Sequence, residues 1–140
     1  MMQNAKSKEW FLAFAFGFVL NYIWENAHSV LYSSYQGFSI NQFVLLRAAF
    51  VDAIFVLFLI FIIAAYRPFY KKPWLLIVFG IIVAVAIELW GLGTGRWVYT
   101  SLMPIIPLFR VGITPAIQLG LTAYMTYYLA FAGIILKNKS

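Results

Sequence analysis

Residues 21–32, NYIWENAHSVLY, set Asn21, Glu25 and the chain's single histidine, His28, in an otherwise apolar run. On a helix the offsets i, i+4, i+7 and i+11 place Asn21, Glu25, His28 and Tyr32 along one stripe. An acid beside an imidazole can move protons. Apolar surroundings favour the neutral form of a carboxylic acid, which can then act as a general acid near neutral pH. Asp52 and Glu88 lie in equally apolar runs, so Glu9 is the only acidic residue outside them. A charge at membrane depth costs about 2.5–3.5 kcal/mol or more, so three of them in so small a chain imply a job.

The elements that must carry these acids are set by composition. The 140 residues suffice for one domain, 1–140. They are 64% hydrophobic and 10% charged, with mean hydropathy +0.90. Soluble domains hold about 25% charged residues, so an integral membrane protein is expected. The absence of cysteine removes disulfides, thiolate metal sites and thiol catalysis. Net charge is +6, but the basic residues stand at the ends of apolar runs, which fits anionic lipid and not nucleic acid. Lys6 and Lys8 precede the first run as in a signal peptide. That run is too long for one, and it is read as a retained helix.

Four runs can cross roughly 30 Å of hydrocarbon: 10–32, 43–66, 74–92 and 114–136. The expected fold is an all-α, four-helix transmembrane bundle. With the N-terminus inside, Lys6, Lys8, Arg67, Lys71, Lys72, Lys137 and Lys139 fall on one side, and Arg47, Arg96 and Arg110 on the other. That asymmetry places both termini in the cytoplasm and the chain in the cytoplasmic (inner) membrane as a multi-pass protein. Trp10, Tyr66, Tyr70 and Trp74 would form an inner aromatic belt, and Tyr32, Tyr35, Trp97 and Tyr99 an outer one. Thr114 and Pro115 read as N-cap and first turn of the last span. The connection 91–113 is apolar, and its MPIIP segment excludes regular helix. It suits either a lid over an outward-facing site or an interfacial anchor. Its glycines, Gly91, Gly93 and Gly95, suit close packing or a bend better than a phosphate cradle, because no strand precedes them.

Helical rise puts Glu25 on the order of 10 Å, Asp52 roughly 13 Å and Glu88 about 6 Å from the outer ends of their spans. Gln118 lies at a depth similar to that of Glu88, so each span contributes one strong polar group to the outer half. Gly80, Ala84, Glu88 and Gly91 form a small-residue stripe that permits close helix approach. Thr114, Gln118, Thr122 and Met125 share a face of the fourth span. The expected pocket has Glu25, Asp52, Glu88 and His28 as catalytic groups. Asn21, Trp24, Trp90, Arg96, Gln118 and Tyr124 would bind substrate. Packing is the plainer role for Trp24 and Trp90, while Asn21 and Gln118 suit helix packing and the site equally.

Three chemistries fit. One is acid–base catalysis on a lipid or isoprenoid, with aromatic walls steadying a developing carbocation. Another is a metal site, because Glu25 and His28 have the Glu-x-x-His spacing of carboxylate-bridged bundles, with Asp52 and Glu88 to complete it. The last is a non-enzymatic binding or transport protein. No cofactor is expected for the first, and protomers could associate into homo-oligomers.

WENAHSVLY (24–32) and EL…GRWVYTSLMPIIPLFRVGITPAIQ (88–118) together resemble a group of small four-span bacterial membrane proteins without assigned function. The likeness covers most of the chain. More distantly, Trp24 and Glu25 after Asn21, with an acid near the outer end of a later span, are similar to integral-membrane terpene cyclases. These are the fungal meroterpenoid cyclases and the heterodimeric lycopene cyclases. The resemblance implies that Glu25 is the acid that starts cyclisation, although those enzymes generally have more spans.

Overall fold

Four long helices make up most of the molecule in the computed structural model: α1 (Ser7–His28), α2 (Gln42–Ala65), α3 (Leu75–Gly93) and α4 (Ile113–Lys137). The structure describes residues 5–69 and 71–137, with side chains as far as Ala132. Tyr70 of the expected inner belt, the Lys137 side chain and Lys139 lie outside that description. Local chemistry sets the helix starts. Glu9 Oε2 accepts the Lys6 N–H at 2.8 Å, and Asn41 Oδ1 accepts the Val44 N–H at 3.1 Å. Each satisfies a donor that the first helical turn leaves orphaned.

Three helices match the expected spans to within a residue, but the first does not. It stops at His28 instead of running on to 32. Ser29–Leu31 tighten into a single 3-10 turn, with Ser29 Oγ donating to Asn26 O at 2.9 Å, and the chain then becomes extended. Nor is the fold purely helical. Strand β1 (Tyr32–Tyr35) pairs antiparallel with β2 (Trp97–Tyr99), opposing Tyr32 to Tyr99 and Tyr35 to Trp97. A tight turn at Gln36 and Gly37, both at positive φ, follows β1. Within the third connection β3 (Ile105–Ile106) pairs with β4 (Val111–Gly112). Helix α4 begins at Ile113, a residue earlier than the expected Thr114 cap.

The helices alternate in direction. Trp10 at the start of α1 meets Phe131 late in α4, with ring centroids 5.4 Å apart, so both ends of the described chain lie at one end of the bundle. Helix α4 is central, packing on α1 and α3, while α2 packs chiefly on α1 and meets α3 only sparsely. The apolar core (Ala13, Val56, Ile60, Leu76, Tyr127 and Phe131 among others) fills the half nearer the termini. Helices α3 and α4 touch backbone to backbone at Gly80 and Gly120, where a Cβ on Gly80 would lie 2.2 Å from Gly120 Cα. Helices α2 and α3 are long and apolar enough to cross a membrane. Only 33% and 28% of their most apolar stretches are buried, and Phe50, Ile54, Phe58, Phe61 and Ile82 face outward.

Candidate functional site

The end opposite the termini gathers the last turns of α1 and α3, the first turns of α2 and α4, and the β1–β2 ribbon. Gln118 stands at its centre. Its Nε2 lies 2.8 Å from Glu25 Oε1, 2.9 Å from Asp52 Oδ2 and 3.1 Å from Asn21 Oδ1, so two amide protons are divided among three acceptors and one amide ties three helices together. Asn21 is oriented for this by its own Nδ2, which donates to Gly17 O at 2.8 Å, and its Oδ1 also accepts from Thr122 Oγ1 at 3.2 Å. The Glu25 and Asp52 carboxyls thus meet at one amide, and two carboxyls brought together in apolar surroundings favour holding one proton between them. His28 Nε2 lies 3.4 Å from Glu25 Oε2 but is not aligned as a hydrogen bond, so that buried nitrogen is left without a hydrogen-bond partner. His28 Nδ1 faces Thr114 Oγ1 at 3.2 Å, from a threonine that lies inside α4 and not at its cap. Imidazole, carboxyl, amide and carboxyl thus follow one another from His28 to Asp52.

Glu88 lives in a different setting. Tyr99 OH and Trp97 Nε1 donate to it, the latter at 3.1 Å, and Tyr32 OH stands 3.4 Å from both oxygens. Tyr99 OH in turn accepts the Gly112 N–H at 3.0 Å, so the carboxylate clasps β1, β2 and β4. Tyr32, Trp97 and Tyr99 therefore turn inward to Glu88 and do not form the outer belt their composition suggested. The Trp97 indole lies on Gly91, where a Cβ would come within 1.9 Å of Trp97 Cζ2. That contact, and not an anion cradle, explains Gly91; Gly93 and Gly95 face open space, and Gly95 adopts φ +67°.

Burial, and then the Glu88 charge, push the Tyr32 phenol well above its ordinary range; burial and the hydrogen bond to Glu88 do the same for Tyr99. A phenol that holds its proton more tightly when folded stabilises the fold fully below about pH 10, and that stability is lost as pH rises above it. Ultraviolet titration is expected to show Tyr32 and Tyr99 ionising only with unfolding, above the exposed tyrosines. Loss of the late step in a Tyr32→Phe, Tyr99→Phe double variant identifies the pair.

Both clusters face one cavity of about 430 Å³. Glu25, Asp52, Glu88 and Gln118 line it, together with Trp90 and Arg96 at its edge. Phe55, Ala84, Ile87 and Leu119 supply apolar wall. Val51 on α2 and Trp90 on α3 line it and are 45% and 52% exposed, so the cavity is not sealed where these two sparsely packed helices border it.

Asn21 and His28 sit behind this wall, connected through Gln118 and Glu25. Two expected binding residues are elsewhere. Trp24 is off the lining, its indole nitrogen buried without a partner, and Tyr124 packs against Tyr128 beside the core at 5.0 Å. On α4 the inward face continues to Thr126, fully buried, while Met125 is half exposed. The third connection divides its roles. Arg96 and Trp97 cover the cavity, whereas Leu102 and Leu108 stand exposed on its far portion. The ribbon residues Tyr35, Trp97 and Tyr99 had been assigned no part in the site. Alternation of aromatic and smaller residues in WVY is the one local sign of strand, and YSSY carries none.

Among the described residues no three His, Asp or Glu side chains are grouped to hold a metal ion, and the Gln118 amide, a donor, occupies the point between Glu25 and Asp52. No family model, curated protein or solved structure matches the chain.

Proposed function

We propose that the chain is a four-span integral membrane protein with cytoplasmic termini, whose chamber in the outer half performs acid–base chemistry on a lipid or isoprenoid. The observation that carries this reading is the convergence of carboxyls from α1, α2 and α3 on one largely apolar cavity. The outward apolar faces of α2 and α3 support the membrane setting, because core helices of a soluble protein would be mostly buried. The sparse seam between α2 and α3 beside the cavity suits a ligand that arrives from the bilayer.

The two carboxyl settings suit two roles. The Glu25–Asp52 pair shares a proton and can give it to a substrate double bond, forming a carbocation. Glu88, held by three donors, faces the same space and offsets the new positive charge. The rings of Tyr35, Trp90 and Trp97 line the wall and add cation–π attraction. Loss of a proton from a neighbouring carbon back to the pair closes an isomerisation or cyclisation with no net oxidant or cofactor. His28 beside Glu25 resets the proton. This is the chemistry that the likeness to membrane terpene cyclases implies for Glu25.

The test compares lipid extracts of a host expressing the protein or its Glu25→Gln variant. Product formation is expected to fall by about 10²–10⁴-fold, the contribution of a positioned general acid. Undiminished product would end the acid role. A binding protein without chemistry is the second reading, favoured by the fully occupied Glu88; it predicts a co-purified lipid and no new product.

A further inference from the structure

The two arginines on the cavity rim are not spent on the acids beside them. Three carboxyl groups line the same cavity as Arg47 and Arg96, yet neither arginine forms an ion pair with any carboxylate among the described residues. Arg47 Nη2 instead donates to Tyr35 OH at 2.8 Å, with its Cζ 5.6 Å from that ring's centroid. Arg96 Cζ lies 4.4 Å from the Trp90 ring centroid. The rings are themselves joined. Tyr35 stacks on Trp97 at 6.2 Å and 12°, and Trp97 meets Trp90 edge-on at 6.3 Å. An unbroken aromatic strip from β1 through β2 to α3 therefore holds a guanidinium at either end.

Aromatic faces orient a guanidinium without neutralising it, leaving its donor fork for a planar or tetrahedral oxyanion. Behind the rim the wall turns apolar at Val51, Phe55 and Ile87, where α2 and α3 border the cavity and meet only sparsely. A volume of about 430 Å³ lies near the lower end of ligand pockets of roughly 300–1,000 Å³, which suits one chain and not a whole diacyl lipid.

We propose that the chamber takes a single-chain amphiphile with an anionic headgroup, phosphate or carboxylate, gripped by Arg47 and Arg96 while the chain lies against Phe55 towards Asp52. This rests on the chamber reading above and adds the charge and polarity of its ligand. The headgroup stays at the watery rim, so the carboxyls meet the chain and never the anion.

The experiment titrates the full chain, in nanodiscs of zwitterionic lipid, with dodecyl phosphate, dodecanol and inorganic phosphate, reading tryptophan fluorescence. The two amphiphiles are compared at equal mole fraction in the bilayer. Dodecyl phosphate is expected to bind about tenfold or more tightly than dodecanol, the scale of a charge-assisted contact. Inorganic phosphate, lacking a chain, is expected to bind far more weakly. The Arg47→Gln, Arg96→Gln double variant should lose the preference and keep dodecanol binding, and the corresponding double Arg→Lys variant should retain part of the preference. Equal binding of the two amphiphiles, or a preference that survives in the glutamine variant, overturns the headgroup assignment and leaves the chamber standing. Inorganic phosphate binding as tightly as dodecyl phosphate also overturns it, marking a surface anion site. Failure of both amphiphiles to bind overturns the chamber and the headgroup together.

Discussion

Replacing Gln118 by leucine is expected to lower the melting temperature by roughly 10–15 °C, from a loss of about 3–5 kcal/mol. Leucine fills similar volume but offers no donor to Glu25, Asp52 or Asn21. Asn21 keeps the Thr122 hydroxyl, whereas the paired carboxyls lose the one amide that faces both. Stranding a buried acceptor costs about 1–3 kcal/mol, and more when it is charged. Gln42 provides the comparison. It accepts from Tyr22 OH at 2.7 Å and donates to Asn26 Oδ1 at 2.9 Å, but on the exposed surface. Gln42→Leu is therefore expected to cost about 1 kcal/mol or less. Equal thermal shifts for the two variants would show that Gln118 is no hub.

Gly80→Ala carries the second large effect, about 3 kcal/mol or more, or roughly 10 °C. The added methyl would enter the Gly120 backbone, and neither helix has a flexible side chain there to yield. Gly120→Ala meets the same barrier from the other side, with Ile77 O at 2.6 Å. Separating α3 from α4 also moves Glu88 away from Gln118 across the chamber, so ligand binding should fall with stability. Gly17→Ala is the control. Its methyl would meet Val56 Cγ1 at 3.4 Å, an ordinary contact, and alanine favours helix by up to about 1 kcal/mol. Thermal unfolding of the three variants should give two large losses and one neutral or positive change.

Much of this architecture is legible in the sequence because two of its signals are local. Apolar runs of membrane length fix α2, α3 and α4 to within a residue, and the spacing of Gly80, Ala84, Glu88 and Gly91 marks a face that is indeed buried throughout. The carboxyls of Glu25, Asp52 and Glu88 could be placed at one depth by counting residues, and the cavity joins them. Non-local pairing was out of reach. Strand β1 finds its partner more than sixty residues later in β2, so YSSY alone reads as a polar turn. That pairing redirects Tyr32, Trp97 and Tyr99 from an expected belt to Glu88. It also ends α1 early, because Tyr32 must leave the helix to meet Tyr99. Nearness in sequence links Trp24 and Tyr124 to the site, but neither lines the cavity, and Tyr124 packs beside the core instead.

Cysteine accessibility gives the most direct test, since the native chain contains no cysteine. Ala84→Cys lies on the cavity wall that Asp52 also lines, and Ala123→Cys lies in the core with no exposure. With the protein in a bilayer, a short alkyl methanethiosulfonate is expected to label Ala84→Cys readily, to be slowed by dodecyl phosphate, and to leave Ala123→Cys untouched. A thiol at position 84 as inert as one at 123 would contradict the chamber, and with it the meeting of the three acids in a space open to a ligand.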